Sequence, residues 1–174
     1  MKLTWFGGTA LRAYVGGEII VIDPEAAPPS VDRGELLAGA DRVLRLAHSD
    51  AQLIDADRWR PAVARPLEPI PPVRVLSVGL STLLVSAASE PPLLITDVPD
   101  LPHLGRWADA AVFVLLGEPG ARLAETIVDL DIVRPKLLAI AAAEEVVDAL
   151  FEKLATHPNV PNLVSLEPGL ALEV

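Results

Sequence analysis

The sequence of 174 residues contains no cysteine and only three histidines, His48, His103 and His157. Without cysteine the chain cannot form a disulfide bond, bind a metal through thiolates or use a cysteine nucleophile. Any metal ion would have to be bound by histidine and carboxylate side chains. The shortage of histidine limits the possible metal chemistry more than any other feature of the composition.

Basic residues and long apolar runs are also scarce. The chain has 14 lysine and arginine residues against 24 aspartate and glutamate residues, a formal net charge of −10. This charge repels a phosphate backbone and no basic cluster offsets it, so we expect no nucleic-acid partner. No apolar run reaches the roughly 18 residues of a membrane span, so we expect no membrane association. The sequence opens directly into a predicted strand with no charged and apolar leader, and we therefore expect a cytoplasmic protein.

Apolar residues, in contrast, are abundant and make up 51% of the chain. This share exceeds the usual globular value, and 174 residues suffice to bury a substantial core. We therefore predict one domain that spans residues 1–174. The apolar surplus indicates either a thick, multilayer core or a buried subunit interface.

The strongest strand signal is Ile-Ile-Val-Ile-Asp-Pro at residues 19–24. Four β-branched aliphatic residues in a row are typical of a strand buried on both faces, which Pro24 would end. Strands dominate the first part of the chain and then alternate with helices, an order that favours an α/β fold of two sheets with helices outside. The predicted strands are 1–6, 9–15, 18–22, 41–47, 73–78, 81–88, 91–96, 110–116, 137–141, 162–166 and 170–174, and the predicted helices are 31–39, 51–59, 120–130 and 144–154.

Three local patterns complete this prediction. Residues 61–72 contain five prolines, a density that excludes a regular helix and predicts an extended connector. The last two strands are expected to form a hairpin around Pro168 and Gly169. Helix 144–154 is expected to bury one apolar stripe. The stripe consists of Val146, Val147, Leu150, Phe151 and Leu154.

Four stretches follow the motif order of a known family. Residues 2–10, Lys-Leu-Thr-Trp-Phe-Gly-Gly-Thr-Ala, resemble its opening, in which Gly-His-Ser follows the first strand. Ile-Val-Ile-Asp-Pro at 20–24 resembles its strand that ends in Asp-Pro, and residues 40–56 resemble the segment that ends in His-x-His-x-Asp-His. Residues 134–142 and 160–174, with Leu-Glu-Pro-Gly, resemble its closing part.

This pattern resembles the metallo-β-lactamase superfamily, and within it the small cytoplasmic metal-dependent hydrolases related to L-ascorbate-6-phosphate lactonase. The resemblance implies a four-layer αββα sandwich, here shortened near residues 65–77. Because members of this family often associate and the chain has an apolar surplus, we also expect a homo-oligomer.

The resemblance also implies where metal ligands would lie. The His-x-His-x-Asp-His string falls on Leu-Ala-His-Ser-Asp-Ala, in which His48 and Asp50 remain. Asp97 matches the aspartate that bridges the two metal ions. Two further histidine positions fall on Gly8 and on the alanines 141–143, and another histidine has no counterpart.

With His48, Asp50 and Asp97 alone, each ion of a metal pair would have about two protein ligands, fewer than the three of a typical catalytic zinc site. We therefore predict a degenerate member of the fold without a complete binuclear site or a cofactor, with a binding or assembly role. The alternative is a hydrolase or lactonase that uses a single zinc, manganese or iron ion at these three residues. A third possibility is a metal-free pocket for a small-molecule ligand.

Gly8, Asp23 and His103 are further binding candidates. Gly8 and Asp23 occupy motif positions of the family. His103 follows Asp97 closely in sequence and could replace a lost ligand, and the alternative is an ordinary histidine of a surface loop.

Two of the metal candidates also have structural alternatives. Asp50 could cap the predicted helix 51–59 through backbone N–H groups. Asp97 could accept backbone N–H groups in the turn before Pro99.

Overall fold

The computed structural model describes residues 1–47, 49–88, 90–158 and 160–174, and two β-sheets form its centre. The first sheet contains β1 (Lys2–Gly7), β2 (Ala10–Val15), β3 (Glu18–Ile22), β4 (Arg42–Leu44) and β12 (Ala171–Glu173). The second contains β5 (Gln52–Leu53), β6 (Arg74–Gly79), β7 (Thr82–Ser86), β8 (Leu93–Thr96), β9 (Val112–Leu116), β10 (Leu137–Ala141) and β11 (Leu163–Ser165). The helices are α1 (Arg33–Leu37), α2 (Gly117–Leu130) and α3 (Glu144–Leu154), with one-turn 3-10 helices at Pro24–Ala26 and Arg106–Ala110.

The two sheets differ in their strand directions. In the first sheet, ordered β12-β1-β2-β3-β4, all neighbours are antiparallel except β3 and β4. In the second sheet, ordered β11-β10-β9-β8-β7-β6-β5, the strands from β8 to β11 are parallel. The ends of parallel strands meet at one sheet edge, so the loops after β8, β9 and β10 lie on the same side of the molecule.

Side-chain alternation along the strands produces four layers. Ile20 and Ile22 of β3 pack between the two sheets, whereas Val21 packs on the other face against Leu36 of α1. In β9, alternate residues face the first sheet, and Phe113 packs with α2 and α3. The order is therefore helix, sheet, sheet, helices, the αββα sandwich that the sequence predicts. The outer face of the first sheet carries only the five-residue helix α1.

The predicted helix 51–59 is wrong. Residues 52 and 53 form β5, which pairs with β6, and turns follow it. The physical reason is local: the Asp55 carboxylate accepts the backbone N–H groups of Asp57 (3.1 Å) and Arg58 (3.4 Å). Such bonds offer the backbone an alternative to helical hydrogen bonds.

The predicted C-terminal hairpin is also wrong, because its two strands belong to different sheets. β11 pairs with β10 in the second sheet, and β12 pairs with β1 in the first. Between them Leu166 is buried in the inter-sheet core, and Gly169 donates its N–H to the Trp5 carbonyl at 2.7 Å. Each strand thus extends an existing sheet, and the crossing segment closes one end of the sandwich.

Residues 61–72 contain neither helix nor strand, as their proline content predicts. Within the described part of the chain, no helix is both long enough and apolar enough to span a membrane.

A glycine allows α2 to pack closely on the strand before it. A Cβ atom at Gly120 would lie 2.6 Å from the backbone carbonyl carbon of Leu115. Alanine normally stabilises a helix interior by about 0.5–1 kcal/mol relative to glycine. We expect the opposite here: Gly120→Ala lowers the free energy of unfolding by about 1–3 kcal/mol because the helix must move away from β9. Urea unfolding checks this, and a variant as stable as the wild type contradicts it.

Candidate functional site

A cleft of about 290 Å³ lies where the loops after β1, β8, β9 and β10 meet. It brings together Gly8, Asp97 and residues 141–143, three of the positions at which the family resemblance expects metal ligands. Its remaining lining residues are Trp5, Thr9, Leu116, Gly117 and Pro119.

Among the residues that the structure describes, Asp97 is the only one in the lining of this cleft with an ionisable side chain. Its Oδ1 atom exposes less than 1 Å² and has no hydrogen-bond partner among the described residues. The predicted backbone partner in the turn is not used, because the Val98 N–H points to Thr96 Oγ1 (3.4 Å) instead. Thr96 is itself fixed by a 2.8 Å hydrogen bond to Thr82 on β7. The strand end is therefore well ordered, and it holds one oxygen atom that lacks a partner.

Gly8 adopts a conformation that leaves no room for a side chain. Its φ is +54°, and a Cβ atom would lie 2.7 Å from the carbonyl oxygen of Ala26. The Trp5 indole N–H donates to the Gly8 carbonyl at 3.0 Å and holds the turn in place. A histidine at this position would thus require a different path of the loop.

The alanines 141–143 supply apolar surface where the resemblance expects a histidine. Ala141 and Ala142 are buried, and the Ala143 carbonyl accepts the N–H groups of Val146 and Val147 at the start of α3. Because α2 also begins at the cleft, the positive ends of two helix dipoles lie near it. The positive ends of these dipoles oppose the entry of a cation.

The other two predicted metal ligands are His48 and Asp50, and Asp50 does not line this cleft. His48 lies outside the described residues. Asp50 lines a different cleft, of about 540 Å³, between the segment around β4 and Val75 of β6. The prediction that Asp50 caps a helix is wrong, since no helix begins at Ala51 and the Ala51 N–H donates to Ser49 Oγ.

Taken over residues 1–47, 49–88, 90–158 and 160–174, no group of three or more histidine, aspartate or glutamate side chains is arranged to hold a metal ion. The described lining of the Asp97 cleft provides one carboxylate and no imidazole. This donor set does not fit a pair of metal ions, which requires several carboxylates or imidazoles.

Asp23, a predicted binding residue, connects the ends of β3 and β4. Its backbone adopts the left-handed conformation with φ 43°. Its Oδ1 accepts the N–H of Leu46 (3.1 Å), and its own N–H donates to the Leu44 carbonyl (2.9 Å). These contacts give Asp23 a structural role in the first sheet.

His103, the remaining predicted binding residue, lies on an exposed loop. Its side chain is 84% exposed, and Nδ1 is 3.2 Å from Asp57 Oδ1. It does not line the Asp97 cleft.

A second, larger groove of about 990 Å³ adjoins the cleft and shares Trp5, Ala142 and Ala143 with it. One face of α3 and residues 165–168 form its walls. Phe151, which the apolar periodicity places in the core, is instead 36% exposed and lines this groove. Sequence reasoning missed the groove, although the four-residue spacing of acidic side chains in α3 was a visible signal.

Neither a protein-family model nor a curated protein sequence matches this chain significantly. Solved structures do match it over nearly its full length. A metallo hydrolase from the hyperthermophilic archaeon Ignicoccus hospitalis has a TM-score of 0.59 at 16% identity, with 99% of this chain and 98% of that chain covered. The isothiocyanate hydrolase from Delia radicum gut bacteria has a TM-score of 0.54 at 14% identity, with 99% of both chains covered.

A third structure, from Thermotoga maritima, is assigned as a Zn-dependent hydrolase of the metallo-β-lactamase superfamily, with a TM-score of 0.46 at 15% identity over 95% of this chain and 98% of that chain. The two structures with the higher TM-scores are named as hydrolases, one of them as a metallo hydrolase. The chain has the metallo-β-lactamase fold, as the motif order and the four-layer architecture predict. At 14% and 16% identity, these two structural likenesses establish the fold alone.

The role of Asp23 can be tested by two substitutions. Asp23→Ala removes the acceptor for Leu46 N–H and places alanine in a left-handed conformation, so we expect a loss of about 1–2 kcal/mol in the free energy of unfolding. Asp23→Asn keeps an acceptor and tolerates this backbone, so it should lose much less. Urea unfolding of both variants measures the difference. Equal stability of Asp23→Ala and the wild type contradicts the structural role.

The lack of room for a side chain at Gly8 gives another prediction. Gly8→His should be less stable than Gly17→His by about 1–3 kcal/mol because only the first collides with backbone. Gly17 also has a positive φ (+88°), but a Cβ atom there meets nothing within 4 Å, so it is a matched control. Chemical denaturation compares the two variants. If they are equally stable, the account of the Gly8 turn is wrong.

Proposed function

We propose that this protein is a pseudoenzyme of the metallo-β-lactamase fold, a non-catalytic binding protein that lacks a complete binuclear metal site. One observation carries the proposal: among the expected ligand positions that meet in the cleft, only Asp97 has a side chain that can donate electrons to a metal. The other positions hold Gly8 and the alanines 141–143. The motif order at residues 2–10 and 20–24 supports an origin near the lactonase-like hydrolases of the superfamily.

Both the small number of metal-donor side chains and the local electrostatic field disfavour a pair of metal ions in the cleft. Two metal ions about 3.5–4 Å apart need several anionic or imidazole ligands to offset the loss of hydration. Methyl groups at residues 141–143 replace one such ligand with apolar surface, which raises the free-energy cost of binding a cation nearby. The helix dipoles at the start of α2 and α3 add to this cost. A metal-free cleft for a small molecule agrees better with these features.

A second candidate function is a hydrolase or lactonase with one metal ion. The observation in its favour is the buried Asp97 Oδ1, which has no partner among the described side chains and backbone groups. His48 and Asp50 would be the other ligands, and the ion would supply an activated water molecule. The separate location of Asp50 counts against this arrangement.

The effect of a chelator on stability separates the two functions. If Asp97 binds no metal, EDTA leaves the melting temperature of the wild type unchanged. Asp97→Asn should then change the free energy of unfolding by less than about 1 kcal/mol, because the carboxylate forms no hydrogen bond through Oδ1 to lose. Asp100→Asn, an exposed carboxylate in the same loop, is the matched control.

The opposite result would identify the metal hydrolase. Protein purified without chelator would then contain about one equivalent of zinc, manganese or iron, and EDTA would lower its melting temperature. Asp97→Asn and His48→Ala would lose the metal while Asp100→Asn kept it. Hydrolysis of a lactone or ester that disappears with the metal would overturn the proposed function.

A further inference from the structure

The first sheet ends at a strand whose outer edge is open. β4 pairs with β3 on one side, and no strand of the described chain pairs with it on the other. The cleft of about 540 Å³ runs along this open side, because residues 42–45, four in succession, all line it. Successive strand residues point to opposite faces of a sheet, so a cleft that touches all four lies beside the strand. An additional strand would occupy this position.

Alternate residues of the β4 segment project from the outer face of the first sheet. Leu44 and Leu46 pack into the core between the two sheets. Asp41, Val43 and Arg45 point the other way and are exposed. Val43 is 54% exposed and presents apolar surface at the middle of the edge.

The two charges of this outer row have opposite signs and form no ion pair in the described chain. The Asp41 carboxylate accepts the Ile19 N–H at 2.7 Å. Arg45 has neither an ion-pair nor a hydrogen-bond partner among the described residues. Four residues of a strand span about 13 Å, so the two side chains cannot pair with each other within one copy.

Antiparallel pairing of two β4 strands about Val43 satisfies both charges. A two-fold axis at Val43 places Asp41 of each copy opposite Arg45 of the other, and Val43 opposite its own counterpart. Opposite charges and β-branched residues directly across an antiparallel ladder attract each other. Charged residues usually keep an edge strand from pairing. Here the order of the signs matches the same strand in the reverse direction, whereas a parallel arrangement would place like charges opposite each other.

We propose that two copies of this chain associate through antiparallel pairing of their β4 edges, which joins their first sheets into one continuous sheet. The 51% apolar share of the sequence agrees with a surface that is buried on assembly. The proposal gives the homo-oligomer expected from the sequence a specific interface. It goes beyond the proposed function, because it does not depend on what the Asp97 cleft binds.

Sedimentation of the full chain at micromolar concentration tests the charge contacts. The wild type should form a dimer, and Arg45→Glu should weaken it by about tenfold or more, because the symmetry places the new carboxylate beside Asp41 of the other copy twice. Arg106→Glu is the matched control, since Arg106 is also exposed but lies on the 3-10 helix Arg106–Ala110. A monomeric wild type, or equal dimerisation of the two variants, would overturn the proposal.

A mixture of variants tests which charges face each other. Asp41→Lys alone should dimerise as poorly as Arg45→Glu, whereas an equimolar mixture of the two chains should regain a dimer because opposite charges meet again. Circular dichroism checks that each variant is folded, since Asp41 also holds the Ile19 N–H. Two folded variants whose mixture stays monomeric would contradict the register.

The lack of cysteine in the sequence allows a direct test of the contact at Val43. Residues directly opposite each other on antiparallel strands have Cβ atoms about 4.5–5.5 Å apart. Val43→Cys should therefore form a disulfide-linked dimer under mild oxidation, even if Asp41→Lys does not fold. Leu130→Cys, at a similarly exposed position at the end of α2, is the control and should remain monomeric. Equal crosslinking of these two variants would overturn the assignment of the interface.

Discussion

The packing of the two sheets against each other is the constraint on which the rest of the molecule depends. Alternate residues of β3, β9 and β10 are fully buried between the sheets, and the opposite faces of the same strands are covered by helices. A strand buried on both faces has no freedom to slip in register, since a shift of one residue would expose its whole apolar set. The strand ends are therefore fixed, and the loops that follow them are held close together.

This arrangement explains how the cleft can keep its shape without metal ligands, as the proposed function requires. The cleft at the strand ends is produced by sheet packing, by the Thr82–Thr96 hydrogen bond and by the tight turn at Gly8. None of these interactions needs a metal ligand. Alanines and glycine can consequently occupy ligand positions without loss of the fold. The helix N-termini beside the cleft then disfavour a cation there.

Strong local patterns were sufficient to predict much of this architecture. β3, β10 and α3 have the predicted boundaries because their apolar periodicity agrees with their burial. The predictions failed where local polar bonds or distant partners decide the outcome. Asp55 competes with a helix after β5, and the last two strands choose β10 and β1 rather than each other. No single-sequence pattern contains that information.

The candidate site was predictable only in part for the same reason. Motif order correctly brought Gly8, Asp97 and residues 141–143 to one place, but the lack of a partner for Asp97 Oδ1 depends on the side chain of Thr96. Phe151 faces a groove that residues 165–168 also line, and these residues are distant from it in sequence. The role of Asp23 likewise depends on the path of the chain after β4.

The most direct measurement is anomalous diffraction at the zinc edge from crystals grown with excess zinc. Our account predicts no anomalous peak within coordination distance of Asp97, although the cleft itself should be formed as described. One or two peaks beside Asp97, at the distances of roughly 2.0–2.2 Å that zinc–carboxylate bonds require, would contradict the central claim that the fold retains its shape without its metal ions.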